Sequence, residues 1–156
     1  MGAHTETLEV VYDPATISYE ALMDVFLKAH APTSPPFSRQ YRSAVFVHDE
    51  AQRAIAEEKL AAYGKMRGKE VFTAVEEAPT FWPAEDYHQK YRLRGDPELM
   101  AVFRRVYGDD ADFLASTAAA RVNGYLAGFG EGEDLEALGL PKRLVTRLRE
   151  RLAPRP

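Results

Sequence analysis

The order of the predicted elements constrains the fold more than any single motif does. Residues 6–12 alternate in polarity as a strand does, residues 18–29 follow a helical period, and residues 41–47 alternate again. A second helix from Asp49 to Gly64 and a third strand over 71–76 continue the series. Two consecutive strand–helix–strand units predict an α/β layer, with helices on one face of a three-stranded sheet.

The two helices of this layer have predictable ends and faces. The Ser18 hydroxyl suits an N-cap for the first helix, and Asp49 suits one for the second. The second helix is predicted to end at Tyr63–Gly64, because glycine tolerates a left-handed closing residue. The helical period predicts a buried stripe on the first helix, formed by Leu22, Val25, Phe26 and Ala29.

The chain changes character after residue 91. Apolar residues at helical spacing predict three further helices, over residues 96–107, 117–126 and 141–152. We therefore expect an α/β core over residues 1–91 and a helical extension over residues 92–156.

Composition excludes several classes of function. The net charge of −4 and the pI of about 5.6 argue against a nucleic-acid-binding protein, which needs a basic face. No apolar run approaches the ~20 residues that span a bilayer, and no signal-peptide pattern is visible. We expect a cytoplasmic protein without a membrane partner. The chain has no cysteine, so a disulfide, a thiolate nucleophile and cysteine-ligated zinc are all excluded within it.

Polar groups concentrate between Pro83 and Tyr91. An acid pair, a phenol, an imidazole and an amide occupy the five positions from Glu85 to Gln89. Pro83 suits the first turn of a helix, so a short helix is predicted that places Tyr91 one turn beyond Tyr87. Taken alone, the stretch is interpreted by default as an ordinary surface helix with polar residues facing water.

One further carboxylate extends this stretch to a candidate site. Glu6 ends the apolar face of the first predicted strand, where burial would raise its pKa and keep it protonated. A protonated acid can donate a proton and a tyrosine hydroxyl can hold an oxygen. Glu6, Asp86, Tyr87 and His88 form such a site if the helix lies over the strand end. A metal site from His4, Glu6, His48 and His88 lacks the usual two-histidine spacing on a helix, so no metal is predicted.

Several blocks, in order along residues 2–91, together resemble signatures of the A-type peptide methionine sulfoxide reductases. The blocks are His4–Glu6, Val10–Pro14, Ile17–Leu22, His30 with Pro32–Thr33, Gln40–Ala44 and Ala84–Tyr91. The resemblance implies a ferredoxin-like α+β plait, incomplete in this chain. It also implies reduction of the S-epimer of methionine sulfoxide in peptides or proteins, by thioredoxin or another thiol and without a bound cofactor.

The resemblance also implies roles for four residues. Glu6 would protonate the sulfoxide oxygen, Tyr87 would hydrogen-bond the same oxygen, and Asp86 and His88 would line the same polar end of the pocket. Protonation turns the sulfoxide into an electrophile whose sulfur a thiolate can attack, with water as the eventual leaving group.

The chain departs from the family pattern in its thiol chemistry. The family's nucleophilic cysteine lies in a Gly-Cys-Phe-Trp motif upstream of the His-Thr-Glu block, where this chain begins. The usual His-Asp-Pro-Thr reads here His30-Ala31-Pro32-Thr33. Three hypotheses remain: one half of a split reductase, a non-catalytic sulfoxide-binding or interaction protein of reductase descent, and a structural remnant. An uncovered sheet edge would favour pairing with a partner chain or a second copy.

Overall fold

The structure, a computed structural model, describes residues 4–132 and 134–153. Within them the chain forms α1 (Tyr19–Ala29), β1 (Ala44–Val47), α2 (Glu50–Arg67), β2 (Ala74–Glu77), α3 (Tyr91–Arg94), α4 (Pro97–Val106), α5 (Asp110–Ala115), α6 (Thr117–Leu126), a 3₁₀ turn (Glu136–Leu138) and α7 (Lys142–Leu152). The predicted class, mixed α/β with a helical C-terminal part, is confirmed.

The sheet consists of β1 and β2, paired in parallel. Ala44 lies opposite Ala74 and Val47 lies opposite Glu77. Parallel neighbours cannot be joined by a tight hairpin and need a crossover, which α2 provides. This strand–helix–strand unit is the part of the predicted layer that forms as expected, with both strands shorter than predicted.

The predicted first strand is wrong, because residues 6–12 form no strand. One backbone hydrogen bond links these residues to another described segment: the Glu6 amide donates to the Gln40 carbonyl at 3.0 Å. Leu8 is 85% exposed and Val11 is 93% exposed. Alternating polarity produces a strand only where a neighbour supplies the ladder and covers the apolar face. Neither condition is met for this segment within the described residues.

The buried stripe predicted for α1 is confirmed only in part, since Phe26 packs against the buried cluster of the first unit but Val25 and Ala29 are exposed. Ser18 caps the helix as expected, accepting a hydrogen bond from the Ala21 amide. The buried side chains are Met23 and Leu27, whereas Val25 is 60% exposed. Five of the six residues from 22 to 27 are apolar, so periodicity alone permits two faces. Packing against α2 and the sheet selects the face that carries Met23.

Helix α2 extends beyond its predicted end. It begins at the Asp49 N-cap, as expected, but runs to Arg67 and ends at Gly68, which has φ of +60°. The predicted end at Tyr63–Gly64 is therefore wrong. A Cβ on Gly64 would lie 3.1 Å from the Lys69 carbonyl oxygen and 3.1 Å from Val71 Cγ2. Gly64 therefore lies inside the helix, where the lack of a side chain lets the segment after α2 pass close to it.

The chain divides into two compact units between Phe81 and Trp82. The first has a small buried cluster, formed by Met23, Val47 and Ala56. The second has a larger cluster, formed by Leu93, Leu99, Met100, Phe103, Phe113, Ala119, Val122, Tyr125, Leu126, Leu135, Leu144, Val145 and Leu148. Each cluster lies within its own unit, so each unit has a hydrophobic core of its own.

The second unit contains the three helices predicted for it. Asp96 caps α4 by accepting a hydrogen bond from the Leu99 amide at 3.1 Å, and α6 and α7 match their predicted ranges. Helix α5 was not predicted, although Asp109 caps it in the same way, accepting from the Asp112 amide. In the part of the chain that the structure describes, none of the helices is long and apolar enough to cross a membrane.

Candidate functional site

Glu6 is held in place by the segment that precedes β1. Its backbone amide donates to the Gln40 carbonyl at 3.0 Å, and the Gln40 side-chain amide donates to Glu6 Oε1 at 2.9 Å. The neighbouring Thr5 hydroxyl donates to the Arg39 carbonyl at 3.1 Å. No described residue donates a hydrogen bond to Glu6 Oε2, so one oxygen of the carboxyl group remains available.

The environment of Glu6 differs from the one predicted. The side chain is exposed, so the desolvation on which the prediction of a buried acid depended is absent. The cause is the missing strand. Because residues 6–12 are not paired into the sheet, Glu6 is not placed at the edge of the core. Its position is fixed by hydrogen bonds to Gln40 and not by burial.

Arg42 links this segment to β2. Its guanidinium group forms a bidentate pair with Glu76, with Nη2 donating to Oε2 at 2.6 Å, and its Nε donates to the Thr5 hydroxyl at 3.1 Å. Hydrogen bonding from Arg42 is the main cause that lowers the pKa of Glu76, and the same bond raises the pKa of Arg42. Arg42 therefore joins the residue beside Glu6 to the sheet.

His30 connects the end of α1 to the approach of β2. Its Nδ1 lies 2.6 Å from the Phe26 carbonyl oxygen, and its Nε2 lies 3.0 Å from the hydroxyl of Thr73, which is buried. A neutral ring that donates from Nδ1 and accepts at Nε2 satisfies both partners. His30 is thus a structural residue of the first unit.

The polar stretch from Pro83 to Tyr91 is not the predicted helix. Two successive turns form instead, closed by bonds from the His88 amide to the Glu85 carbonyl and from the Gln89 amide to the Asp86 carbonyl. Lys90 then has φ of +52°, a left-handed conformation that separates these turns from α3. Helical periodicity therefore does not apply between the two tyrosines.

The predicted site residues of this stretch are accessible. Tyr87 is 63% exposed, and its ring centroid lies 4.3 Å from that of His88. His88 Nε2 lies 3.9 Å from the nearer carboxylate oxygen of Glu85. Asp86 is also exposed. A phenol, an imidazole and two carboxylates thus lie on these two accessible turns.

A cavity of about 490 Å³ lies beside Tyr87. Its walls come from α3, the loop before α4 and the ends of α6 and α7. It is lined by Tyr87, Tyr91, Arg92, Arg94, Gly95, Asp96, Leu126 and Arg151. The sequence offered no sign of this cavity, because its walls come from residues up to 64 positions apart.

Asn123 on α6 fixes the start of α3 beside this cavity. Its Oδ1 accepts hydrogen bonds from the Arg92 amide at 2.9 Å and from the Leu93 amide at 3.2 Å. Leu93 is fully buried in the core of the second unit. Asn123 therefore positions the backbone that carries Tyr91 and Arg92.

The four predicted site residues belong to different units. Glu6 lies in the first unit, and Asp86, Tyr87 and His88 lie in the second. Each group is positioned by contacts within its own unit. Across the described residues, no three histidine, aspartate or glutamate side chains are grouped so that they could hold a metal ion.

Comparison with known proteins decides the family. A family model described as "Peptide methionine sulfoxide reductase" matches residues 1–116. The chain belongs to this family. The resemblance seen in the sequence blocks is thereby confirmed, and the match extends past residue 91 into the helical second unit.

Curated relatives support the assignment. The peptide methionine sulfoxide reductase of Drosophila melanogaster is 38% identical over 139 residues, covering 88% of this chain and 55% of the fly protein. The MsrA of Methanoculleus marisnigri is 46% identical over 96 residues, covering 56% of this chain and 58% of that protein. The MsrA of Methanothermobacter thermautotrophicus is 42% identical over 114 residues, covering 68% of this chain and 66% of that protein. The chain thus spans about 55–66% of the length of these relatives.

Proposed function

We propose that this chain supplies the sulfoxide-binding and proton-donating groups of a peptide methionine (S)-sulfoxide reductase. The thiol nucleophile is provided from outside these 156 residues. The observation that carries the proposal is the Glu6 carboxyl group, held through Oε1 by Gln40 with Oε2 left available. Membership of the reductase family supports the substrate class.

Each residue has a defined part in the reaction. Once the substrate peptide and the cysteine-bearing polypeptide cover Glu6, its carboxyl group donates a proton to the sulfoxide oxygen. The Tyr87 hydroxyl donates a hydrogen bond to the same oxygen, and Asp86 and His88 line the polar end of the pocket. Protonation draws electrons from sulfur, which makes it open to attack. A cysteine thiolate from outside the chain attacks this sulfur. The new S–S bond then breaks as the oxygen passes to the cysteine, giving methionine and a cysteine sulfenic acid. Two further thiols return the sulfenic acid to the thiol, releasing water and a disulfide.

The reduction requires a thiol that the chain does not contain. With no cysteine among 156 residues, no side chain here can carry the sulfenic acid. We assign the final reducing step to thioredoxin or another thiol reductant, and the location to the cytoplasm, where thiols are kept reduced. The exposed apolar residues of the segment over 6–12 support pairing with the polypeptide that carries the cysteine.

A second candidate is a sulfoxide-binding protein of reductase descent that catalyses nothing. The absence of cysteine favours it equally, since binding needs only the hydroxyl and carboxyl groups. The two candidates differ in whether a cysteine-bearing polypeptide produces turnover when it is added.

The first test concerns the chain alone. The purified protein is incubated with dithiothreitol and a peptide that contains methionine (S)-sulfoxide, and methionine formation is followed by mass spectrometry. We expect no methionine above the amount formed with the Glu6→Gln variant. Faster formation by the unmodified chain would show that dithiothreitol itself can serve as the nucleophile, which contradicts its assignment to a cysteine-bearing polypeptide.

A further inference from the structure

We propose that the cavity beside Tyr87 binds an acidic side chain of the substrate peptide, close to the methionine sulfoxide, with Arg92 and Arg151 as the binding groups. The inference rests on the proposed function of Tyr87 and adds a sequence preference to it. Aspartate or glutamate next to the oxidised methionine is the substrate class that this cavity fits.

Two of the four charged residues lining the cavity already have partners. Arg94 Nη2 donates to Asp110 at 2.7 Å, and Asp96 accepts from Arg147 Nη2 at 2.7 Å. Burial raises the pKa of Asp96, but the Leu99 amide and Arg147 outweigh it and lower the pKa overall. Asp96 therefore remains ionised and paired with Arg147. Because Arg147 compensates its charge, Asp96 repels an incoming carboxylate only weakly.

The other two charged residues are cationic. Among the described residues, no carboxylate forms an ion pair with Arg92 or with Arg151. Arg151 donates from Nε to the Leu126 carbonyl at 2.7 Å, which leaves its two terminal nitrogens for a ligand. A guanidinium group pairs well with a carboxylate because its planar fork matches the two oxygens.

The backbone holds these groups in place. The Arg92 amide is bound by Asn123, and the next residue, Leu93, is buried in the core. The Arg151 bond to Leu126 ties α7 to the end of α6. Less side-chain freedom is therefore lost at Arg151 when a ligand binds than would be lost at a mobile surface arginine.

The dimensions fit a residue adjacent to the sulfoxide. Tyr87 lines the same cavity as the two arginines, and an extended peptide advances about 3.3 Å per residue. A side chain one or two positions from the methionine can therefore enter the cavity while Tyr87 binds the sulfoxide. The volume of about 490 Å³ accommodates an aspartate or glutamate side chain with its hydrating water.

The charge of the whole protein does not explain such a preference. The chain carries a net charge of −4, so long-range attraction would favour basic peptides. A preference for acidic peptides must come from local groups, and it must weaken when those groups are replaced.

The experiment compares three peptides with one methionine (S)-sulfoxide each, flanked on both sides by Glu, by Gln or by Lys. Dissociation constants are measured by calorimetry with the full chain. We expect the Glu peptide to bind about two- to fivefold more tightly than the Gln peptide, since an exposed ion pair contributes up to about that factor. Arg92→Gln should reduce this ratio, and Arg151→Lys, which keeps the charge, should reduce it less than Arg151→Gln.

Arg105→Gln is the matched control, because Arg105 is exposed on α4 and does not line the cavity. This variant should leave the Glu-to-Gln ratio unchanged; an equal loss there would assign the preference to net charge and overturn the inference. Equal binding of the Glu and Gln peptides would overturn it too, even if both bind better than their methionine forms. Failure of the proposed function appears separately, as equal affinity for the sulfoxide and methionine forms of one peptide.

Discussion

Glu6 and Gln40 show how a pair of distant side chains fixes the position of a carboxyl group. The two residues are 34 positions apart and meet through one backbone bond and one side-chain bond. The Gln40 amide binds Oε1, and no described residue donates a hydrogen bond to Oε2. The orientation of the acid therefore depends on Gln40, which belongs to the same sequence block as Arg42.

Tyr87→Phe tests the hydrogen bond to the sulfoxide oxygen. We expect binding of a sulfoxide peptide to weaken by about two- to tenfold, because one neutral hydrogen bond contributes about 0.5–1.5 kcal/mol. Binding of the matching methionine peptide should not change. Calorimetry on both peptides gives the ratio, and Tyr63→Phe on α2 serves as the control. If both peptides weaken equally, the hydroxyl does not act on the sulfoxide.

The pair between Arg42 and Glu76 predicts a dependence of stability on pH. The pKa of Glu76 is lowered in the folded protein by the Arg42 hydrogen bond. Its contribution to stability is therefore complete above the unfolded value of about 4.3 and is lost as pH falls through the lower folded value. Because the Glu76 side chain is 42% exposed, solvent screens the pair, and we expect only about 0.5–1 kcal/mol.

Urea unfolding from pH 6 to pH 3 measures this contribution. The Glu76→Gln variant should lose less stability over that range than the unmodified chain. Glu77→Gln, one position further along β2, should follow the unmodified chain. Parallel curves for all three proteins would show that the ion pair contributes nothing.

Residue-level features were predictable where they depend on near neighbours in the sequence. The N-caps Ser18 and Asp49 were predicted, and both accept the expected backbone hydrogen bonds. The pairing of Glu6 with Gln40 was not predictable, because nothing local indicates which distant amide will reach the carboxylate.

At the scale of elements, local pattern predicted β1–α2–β2 correctly but failed for the segment over residues 6–12, whose strand depends on a distant partner. The strand–helix–strand unit contains its own ladder partners and its own crossover, so its pattern was sufficient to predict it. The segment over 6–12 shows an equally clear alternation but lacks a pairing strand in the described residues. The polar stretch after Pro83 forms two turns in place of the predicted helix, and Lys90 in a left-handed conformation separates them from α3.

The placement of α3 by α6 can be tested at Asn123. Asn123→Ala removes the acceptor of two backbone hydrogen bonds, each worth about 1 kcal/mol. We expect the Arg92 and Leu93 amides to exchange with solvent about fivefold to tenfold faster. Asn123→Asp keeps an oxygen at the same position and should preserve most of the protection. Unchanged exchange in Asn123→Ala would show that packing of Leu93 alone fixes α3.

On the scale of the whole molecule, the second unit has the more extensive core. Among the described residues, its core cluster has thirteen buried residues, whereas that of the first unit has three. Since apolar burial is the main favourable term in folding, a fragment of residues 82–156 should be helical and unfold cooperatively when isolated. A fragment of residues 1–81 should not. Circular dichroism with thermal unfolding distinguishes the two; a cooperative transition confined to the first fragment would contradict the assignment.

Addition of a cysteine-bearing polypeptide tests most directly whether the chain provides the acid half of a reductase. A segment carrying the family's Gly-Cys-Phe-Trp motif is mixed with the 156-residue chain, dithiothreitol and a methionine (S)-sulfoxide peptide, and methionine formation is measured. We predict turnover that disappears when the cysteine is replaced by serine and falls at least tenfold with Glu6→Gln, because proton donation contributes about 10²–10⁴ in rate. A segment that binds the chain without producing turnover, or turnover that is unaffected by Glu6→Gln, would contradict the proposed function.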